Sequence, residues 1–233
     1  IIDAQTAFVR GLVNRVVDAD KLDAETEATI EAIRKEITAE INENLALAFE
    51  EAAIASNSTI ELKDVYHTIE NEIVKPNDIV KNIRFVDAIS EGLRQSMEKY
   101  NELVLMGQDI AEYGGVFKIT EGFTKQFGKR RVRNNPNCES IVVSAAKVLS
   151  INGMKAVVEM QFADFVSSGF NPIVNYLAKV HYRWGQQADV VIRMPCGGGV
   201  GAGPFHSQTN EAWFTKTPGL KVVYPAFPAD AKG

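Results

Sequence analysis

The stretch Ala156–Phe162, AVVEMQF, decides the fold. Its β-branched, nearly uninterrupted apolar run is too short for a helix and has no polar face, so it predicts a strand buried on both sides. Two more runs of the same kind lie on either side of it, LVLM at Leu103–Met106 and VVIRM at Val190–Met194. A fourth, KVVY at Lys221–Tyr224, is expected to be a strand as well. Between these runs the pattern is helical. Residues 84–100 place Phe85, Ile89, Leu93 and Met97 at steps of four, 120–127 form a brief helix, and Ile141–Ser150 and Pro172–Tyr182 form two more. Strands alternating with helices mean an α/β domain, a parallel sheet with helices on both faces. In such sheets ligands sit beyond the carboxyl ends of the strands. The loops after Met106, Phe162 and Met194 are therefore where chemistry belongs.

Ahead of this body the pattern changes. Residues 21–55 read as one long amphipathic helix, with Ile30, Ile33, Ile37, Ile41, Leu45 and Phe49 in a single apolar stripe and Glu25, Glu27 and Glu31 near its start. Residues 6–17 suggest a shorter helix with Phe8, Leu12, Val13 and Val16 turned inward. SNST at Ser56–Thr59 is expected to end the long helix, and Lys75–Asp78 reads as linker. Charge divides the chain at the same place. Residues 1–68 hold 6 Lys/Arg against 14 Asp/Glu, a net of −8, whereas residues 69–233 hold 19 against 16, a net of +3. This gives a helical segment at 1–68, a linker at 69–80 and the α/β body at 81–233.

The 233 residues, 45% apolar and 24% charged, are typical of a globular chain and long enough for a sizeable core. Cys138 and Cys196 are the two cysteines, so a disulfide framework is excluded and a reducing cytoplasm is the default location. No window approaches the roughly 18–20 apolar residues of a membrane helix, so no membrane partner is expected. The basic run Lys129–Arg133 is short and has no stacking aromatics beside it, and with a net charge of −5 this argues against nucleic acid. The opening Ile1-Ile2, without Met, suggests a piece of a longer polypeptide.

The glycine-rich loop CGGGVGAG at Cys196–Gly203 follows a strand but fails the dinucleotide pattern. Counting from Gly197 the last required glycine is Ala202, and from Gly199 it is Pro204; no G-K-[ST] occurs either. The loop reads instead as a flexible turn that carries His206 to the sheet's carboxyl edge, with Ser207 or Thr209 capping a helix that bears Glu211.

Taken in order, MGQDIAEYGGVFKITEGFTKQFGKRRV (Met106–Val132), NPNCES (Asn135–Ser140), VVEMQFADF (Val157–Phe165), PFHSQTNEAW (Pro204–Trp213) and PGLKVVYPAFPADAKG (Pro218–Gly233) resemble the β-subunit of the thiamine-diphosphate-dependent 2-oxo acid dehydrogenases. They look most like the branched-chain (2-oxoisovalerate) enzyme and its pyruvate and acetoin relatives. The similarity covers residues 81–233, the family's pyrimidine-binding domain, without the β-subunit's C-terminal domain. Residues 1–68, ending in ELKDVY, resemble the C-terminal helices of the α-subunit, which implies a fused α–β polypeptide.

The resemblance implies oxidative decarboxylation of a branched-chain 2-oxo acid with acyl transfer to the lipoyl domain of an acyltransferase component. It assigns Glu139 as the glutamate that activates the cofactor's aminopyrimidine, Gln161 and Phe165 as residues lining that ring, and His206 as the histidine that meets substrate and assists acyl transfer. The ordinary readings are a helix-start glutamate, core packing after a strand and a surface histidine. Phe165 stands where many relatives carry Tyr, and Asn137 where an apolar residue is usual. Gly114-Gly115 reads as a backbone turn near the cofactor, with Asp109 pinning its loop. Neither cysteine has the arrangement of a nucleophile, and His67 and His181 match no catalytic position. The family's G-D-G motif for diphosphate and magnesium does not occur. Mg2+ is therefore expected on the diphosphate domain of an α portion, a homo-oligomer is expected, and this chain alone should be inactive. The competing readings are a pyruvate or acetoin dehydrogenase β-subunit, a transketolase-like or deoxyxylulose-phosphate synthase-like enzyme, and an assembly fragment without activity.

Overall fold

The computed structural model describes residues 3–67 and 79–233. The expected linker at Lys75–Asp78 lies outside the described residues. Two compact units emerge, Ile1–Ser56 and Asn57–Gly233.

In the first unit, α1 (Ala4–Val9) is capped by Asp3, whose carboxylate accepts the Thr6 N–H at 2.9 Å. It stops well short of residue 17, because Gly11 turns the chain with φ +71°. Phe8, Leu12, Val13 and Val16 are exposed rather than turned inward. The long helix is α2 (Leu22–Glu50), 29 residues, and none of them is buried. Its isoleucine stripe therefore faces outward, with Ile37 51% exposed.

The second unit opens with α3 (Ser58–Val65). Here the SNST segment starts a helix instead of merely ending one. The Asn57 side chain accepts the N–H groups of Thr59 and Ile60 at 3.0 and 3.3 Å, the ordinary chemistry of an asparagine N-cap. The body that follows is α4 (Phe85–Lys99), β1 (Leu103–Gly107), α5 (Phe123–Phe127), β2 (Val132–Asn134), α6 (Glu139–Ile151), β3 (Lys155–Glu159), α7 (Ala178–Trp184), β4 (Val190–Arg193), α8 (Ala212–Thr215) and α9 (Pro228–Lys232). A 3-10 segment, Ala163–Gly169, and a wide turn, Pro172–Leu177, lead into α7.

All strand pairs are parallel, in the order β2-β1-β3-β4. Leu105 stands opposite both Val132 and Val157, and Val157 opposite Val191. Alternation along β1 divides the core in two. Val104 and Met106 meet α6 (Val142, Val143, Ala146), Ile173, Leu177 and Phe214 on one face. Leu103 and Leu105 meet Met97, Ile110, Phe123 and Val132 on the other. Each of the Val, Leu, Ile, Met and Phe side chains contributes roughly 1.5–3 kcal/mol of hydrophobic stabilisation. From β1 the chain passes outward to β2, then returns across β1 to β3. The order thus reverses between β1 and β3, and the crevice of a doubly wound sheet opens beyond the carboxyl ends of those two strands.

The sequence expectation departs from the structure in three further places. Lys221–Tyr224 is not a strand. The segment forms no ladder and Val223 and Tyr224 are exposed, because β-branched composition permits an extended chain but only a hydrogen-bonded neighbour makes it a strand. Ser207 and Thr209 cap nothing: α8 begins after Glu211, and no side chain caps it. Finally, the basic run overlaps a strand, β2. Val132 is buried, and the Arg131 guanidinium donates to the carbonyls of Met97, Tyr100 and Leu103 at 2.8, 2.6 and 3.0 Å.

Candidate functional site

The carboxyl ends of β1 and β2 lie side by side, with Gly107 opposite Asn134. The Asn135 N–H then bonds the Gly107 carbonyl at 2.9 Å, and the Cys138 N–H bonds the Pro136 carbonyl at 2.7 Å. This tight NPNC turn starts α6 beside the end of β1. Its first residue is Glu139, half-buried, and Gln108, the residue after β1, donates from Nε2 to Glu139 Oε1 at 2.9 Å. The other carboxylate oxygen, Oε2, accepts nothing among the described residues. Glu139 is thus held at a helix start, where backbone N–H groups favour negative charge, with one oxygen anchored and one available.

The loop after Gln108 folds around a glycine pair. Asp109 adopts φ +54°, and its carbonyl accepts the Gly115 N–H at 2.9 Å, so it is the main chain of Asp109 that pins the loop. Gly114 has φ +81°, and a Cβ there would lie 2.7 Å from Glu121 Cα; no other residue fits.

A second group forms after β3. Gln161 is half-buried, and Phe162, buried, meets Phe165 edge-on with ring centroids 6.5 Å apart. His206 packs edge-on against both rings, at 4.9 Å from Phe162 and 5.3 Å from Phe165, and Phe117 meets Phe162 at 6.0 Å. The two groups adjoin through Gly169, where a Cβ would stand 3.6 Å from the Glu139 carbonyl oxygen. The structure therefore brings Phe165 and His206 into contact, and it packs the segment carrying Phe165 against the start of α6. Gln161 lies on the same strand end without a side-chain hydrogen bond among the described residues.

Sequence reasoning missed three residues here. Gln108 carried no signal beyond its place after a strand. Glu159 and Arg193 did carry one: a single charge in each of two apolar strands, of opposite sign, at matching ends. They are register partners and form an ion pair, with side chains 8% and 17% exposed. Cys138 and Cys196 are free thiols, and His67 stacks edge-on with His181 at 5.4 Å, away from these groups in the fold.

The donor set suits a flat nitrogen heterocycle bearing an amino group. Glu139 Oε2 can meet a ring nitrogen, the phenyl rings of Phe162 and Phe165 offer an apolar wall, and the buried Asn135 Oδ1 is an acceptor with no partner among the described residues. Among the described residues no group of three or more His, Cys, Asp or Glu side chains could hold a metal ion. Nor is any helix there long and apolar enough to cross a membrane.

A family model described as the transketolase pyrimidine binding domain matches residues 81–233. The 2-oxoisovalerate dehydrogenase subunit beta of Bacillus subtilis (strain 168) is 40% identical over 151 residues, 64% of this chain and 46% of that protein. The pyruvate dehydrogenase E1 component subunit beta of Acholeplasma laidlawii is 40% identical over 153 residues, 65% of this chain and 47% of that protein. A mitochondrial 2-oxoisovalerate dehydrogenase subunit beta from Dictyostelium discoideum is 40% identical over 156 residues, 66% of this chain and 42% of that protein. The chain spans about half the length of the curated relatives it matches.

Proposed function

The chain belongs to the transketolase pyrimidine binding domain family across residues 81–233, and from that membership we propose that it supplies the pyrimidine half of a thiamine diphosphate site in the β-type part of a 2-oxo acid dehydrogenase. The observation that carries this reading is the Glu139 carboxyl, half-buried at the crevice, with Gln108 on one oxygen and the other oxygen open. When bound, thiamine diphosphate supplies a thiazolium carbon that becomes nucleophilic once its proton is removed. Glu139 would hold or release a proton at Oε2 beside the ring nitrogen of the aminopyrimidine, and would so bias which tautomer of that ring prevails. Gln108 fixes which oxygen of Glu139 faces the ligand. Gln161 and Phe165 bound the ring and exclude water, and His206, seated on the two phenyl rings, meets the substrate carboxylate and assists acyl transfer to a lipoyl domain.

Several parts of the site come from elsewhere in this reading. The diphosphate and Mg2+ are held by the diphosphate domain of an α portion, and residues 1–68 are the end of that portion, joined through 69–80 to the pyrimidine domain. The full enzyme is an oligomer in which the two halves meet, and the free thiols of Cys138 and Cys196 suit a reducing, cytoplasmic setting. By itself the chain is inactive.

The substrate we favour is a branched-chain 2-oxo acid. Relatives named for 2-oxoisovalerate and for pyruvate are equally similar, at 40% identity, so both substrates belong in the test. In the enzyme assembled with its diphosphate-binding portion, kcat/KM should be higher for 2-oxoisovalerate than for pyruvate, and Glu139→Ala should abolish decarboxylation of either while the fold persists. Preference for pyruvate would move the assignment to that relative. Decarboxylation retained by Glu139→Ala would remove Glu139 from the proposed role.

A further inference from the structure

The loop that carries His206 is open along most of its length. Residues 198–205 are all exposed, and Gly197, Gly201 and Gly203 have φ of +105°, +69° and +76°. Left to itself, such a loop would scatter its histidine over many positions. Both of its ends nevertheless close on one residue. At the start, the Pro195 carbonyl accepts the Ala163 N–H at 2.9 Å; at the return, the Asn210 side chain donates from Nδ2 to the Ala163 carbonyl at 2.9 Å. Ala163 and Asn210 are 2% and 5% exposed, so both bonds are shielded from competing water. A third tie lies nearer the histidine. The Asp164 carboxylate accepts the backbone N–H of Gln208, two residues past His206, at 3.3 and 3.4 Å.

We propose that Phe162-Ala163-Asp164-Phe165 is a clamp in which Phe162 and Phe165 seat the His206 imidazole while Ala163 and Asp164, with Asn210, hold the ends of its loop. Asp164 and Asn210 are positioning residues: they act on His206 through the loop backbone. This extends the proposed acyl-transfer role of His206 and rests on that reading for its functional meaning, but the clamp itself is a statement about where one imidazole sits. Four consecutive residues, at the entry to the 3-10 turn Ala163–Gly169, thus supply both the two ring contacts with His206 and the partners of all three ties. A loop of small residues can then remain open to a large incoming carrier without losing the position of its histidine.

The test uses the full chain and reads the imidazole directly. The chain has three histidines, so proton NMR gives three sets of ring signals, and His206→Gln identifies the relevant one. Edge-on phenyl neighbours at 4.9 and 5.3 Å should displace the His206 ring protons from the positions of a solvent-exposed histidine. Asp164→Ala should return those signals to the solvent-exposed positions, and Asp164→Asn, which keeps an acceptor for the Gln208 N–H, should restore the displacement. The signals of His67 and His181 should stay fixed in both variants, which shows that the fold is intact. Asn210→Ala should act like Asp164→Ala. Identical His206 signals in wild type, Asp164→Ala and Asn210→Ala would overturn the clamp. Asp164→Ala and Asp164→Asn perturbing His206 equally would overturn the part assigned to Asp164. Acyl transfer by His206→Gln in the assembled enzyme separately tests the role of the histidine, so the clamp and that role can fail independently.

Discussion

Glu159 and Arg193 show what a buried charge demands. Both sit at the carboxyl ends of apolar strands, and each is tolerable only because the other neutralises it. Glu159→Gln would leave the Arg193 guanidinium buried without its counter-charge, at a cost of about 3–5 kcal/mol, readable as a lower urea midpoint at unchanged slope. A midpoint equal to wild type would mean the pair contributes nothing. Glu139 in NPNCES and His206 after the glycine loop stand out in the sequence through their chain neighbours as candidates for the proposed site. Gln108 does not, because its part is defined by the side chain it meets 31 positions away.

At the scale of elements, long apolar strands and steps of four along a helix were legible: β1, β3, β4, α4 and α6 stand where periodicity puts them. Elements fixed by tertiary partners were not. β2 is three residues at the end of a basic run, two of them within it, and it exists because β1 offers an open edge and Arg131 finds three carbonyls. Lys221–Tyr224 has strand composition but joins no ladder, although β4 ends the sheet beside an open edge. The β3–β4 pair carries its own ionic tie, Lys155 to Asp189, and hydrogen bonding to that carboxylate pushes the Lys155 ammonium above its ordinary value of 10.5. A lysine value raised by folding stabilises fully below the ordinary value, and that stabilisation is lost as pH climbs past it through the raised one. Both side chains are partly exposed, 32% and 49%, so the gain is at most about 1 kcal/mol. Lys155→Met should therefore be slightly less stable than wild type in chemical denaturation at pH 8, with the gap closing in strongly alkaline buffer. A gap that widens with pH would contradict the sign.

For the whole molecule, the legible features were the class, a parallel sheet with helices on both faces, and the change of character ahead of it. Charge counting does not register that Asn57 caps α3, a helix grouped with the body in the unit that starts at Asn57. The outward-facing isoleucines of α2 and, separately, Ile141 and Val148 of α6 leave large apolar side chains exposed, the kind of surface that association covers. Light scattering at micromolar concentration should accordingly report a dimer or larger species; a clean monomer would count against association. The catalytic reading can be tested more directly. In the enzyme assembled with its diphosphate-binding portion and loaded with thiamine diphosphate, the exchange of the thiazolium carbon's proton for deuterium can be timed by acid quench and NMR. The account predicts that Glu139→Gln slows this exchange by about 100-fold or more while the cofactor remains bound, and exchange at the wild-type rate would contradict it.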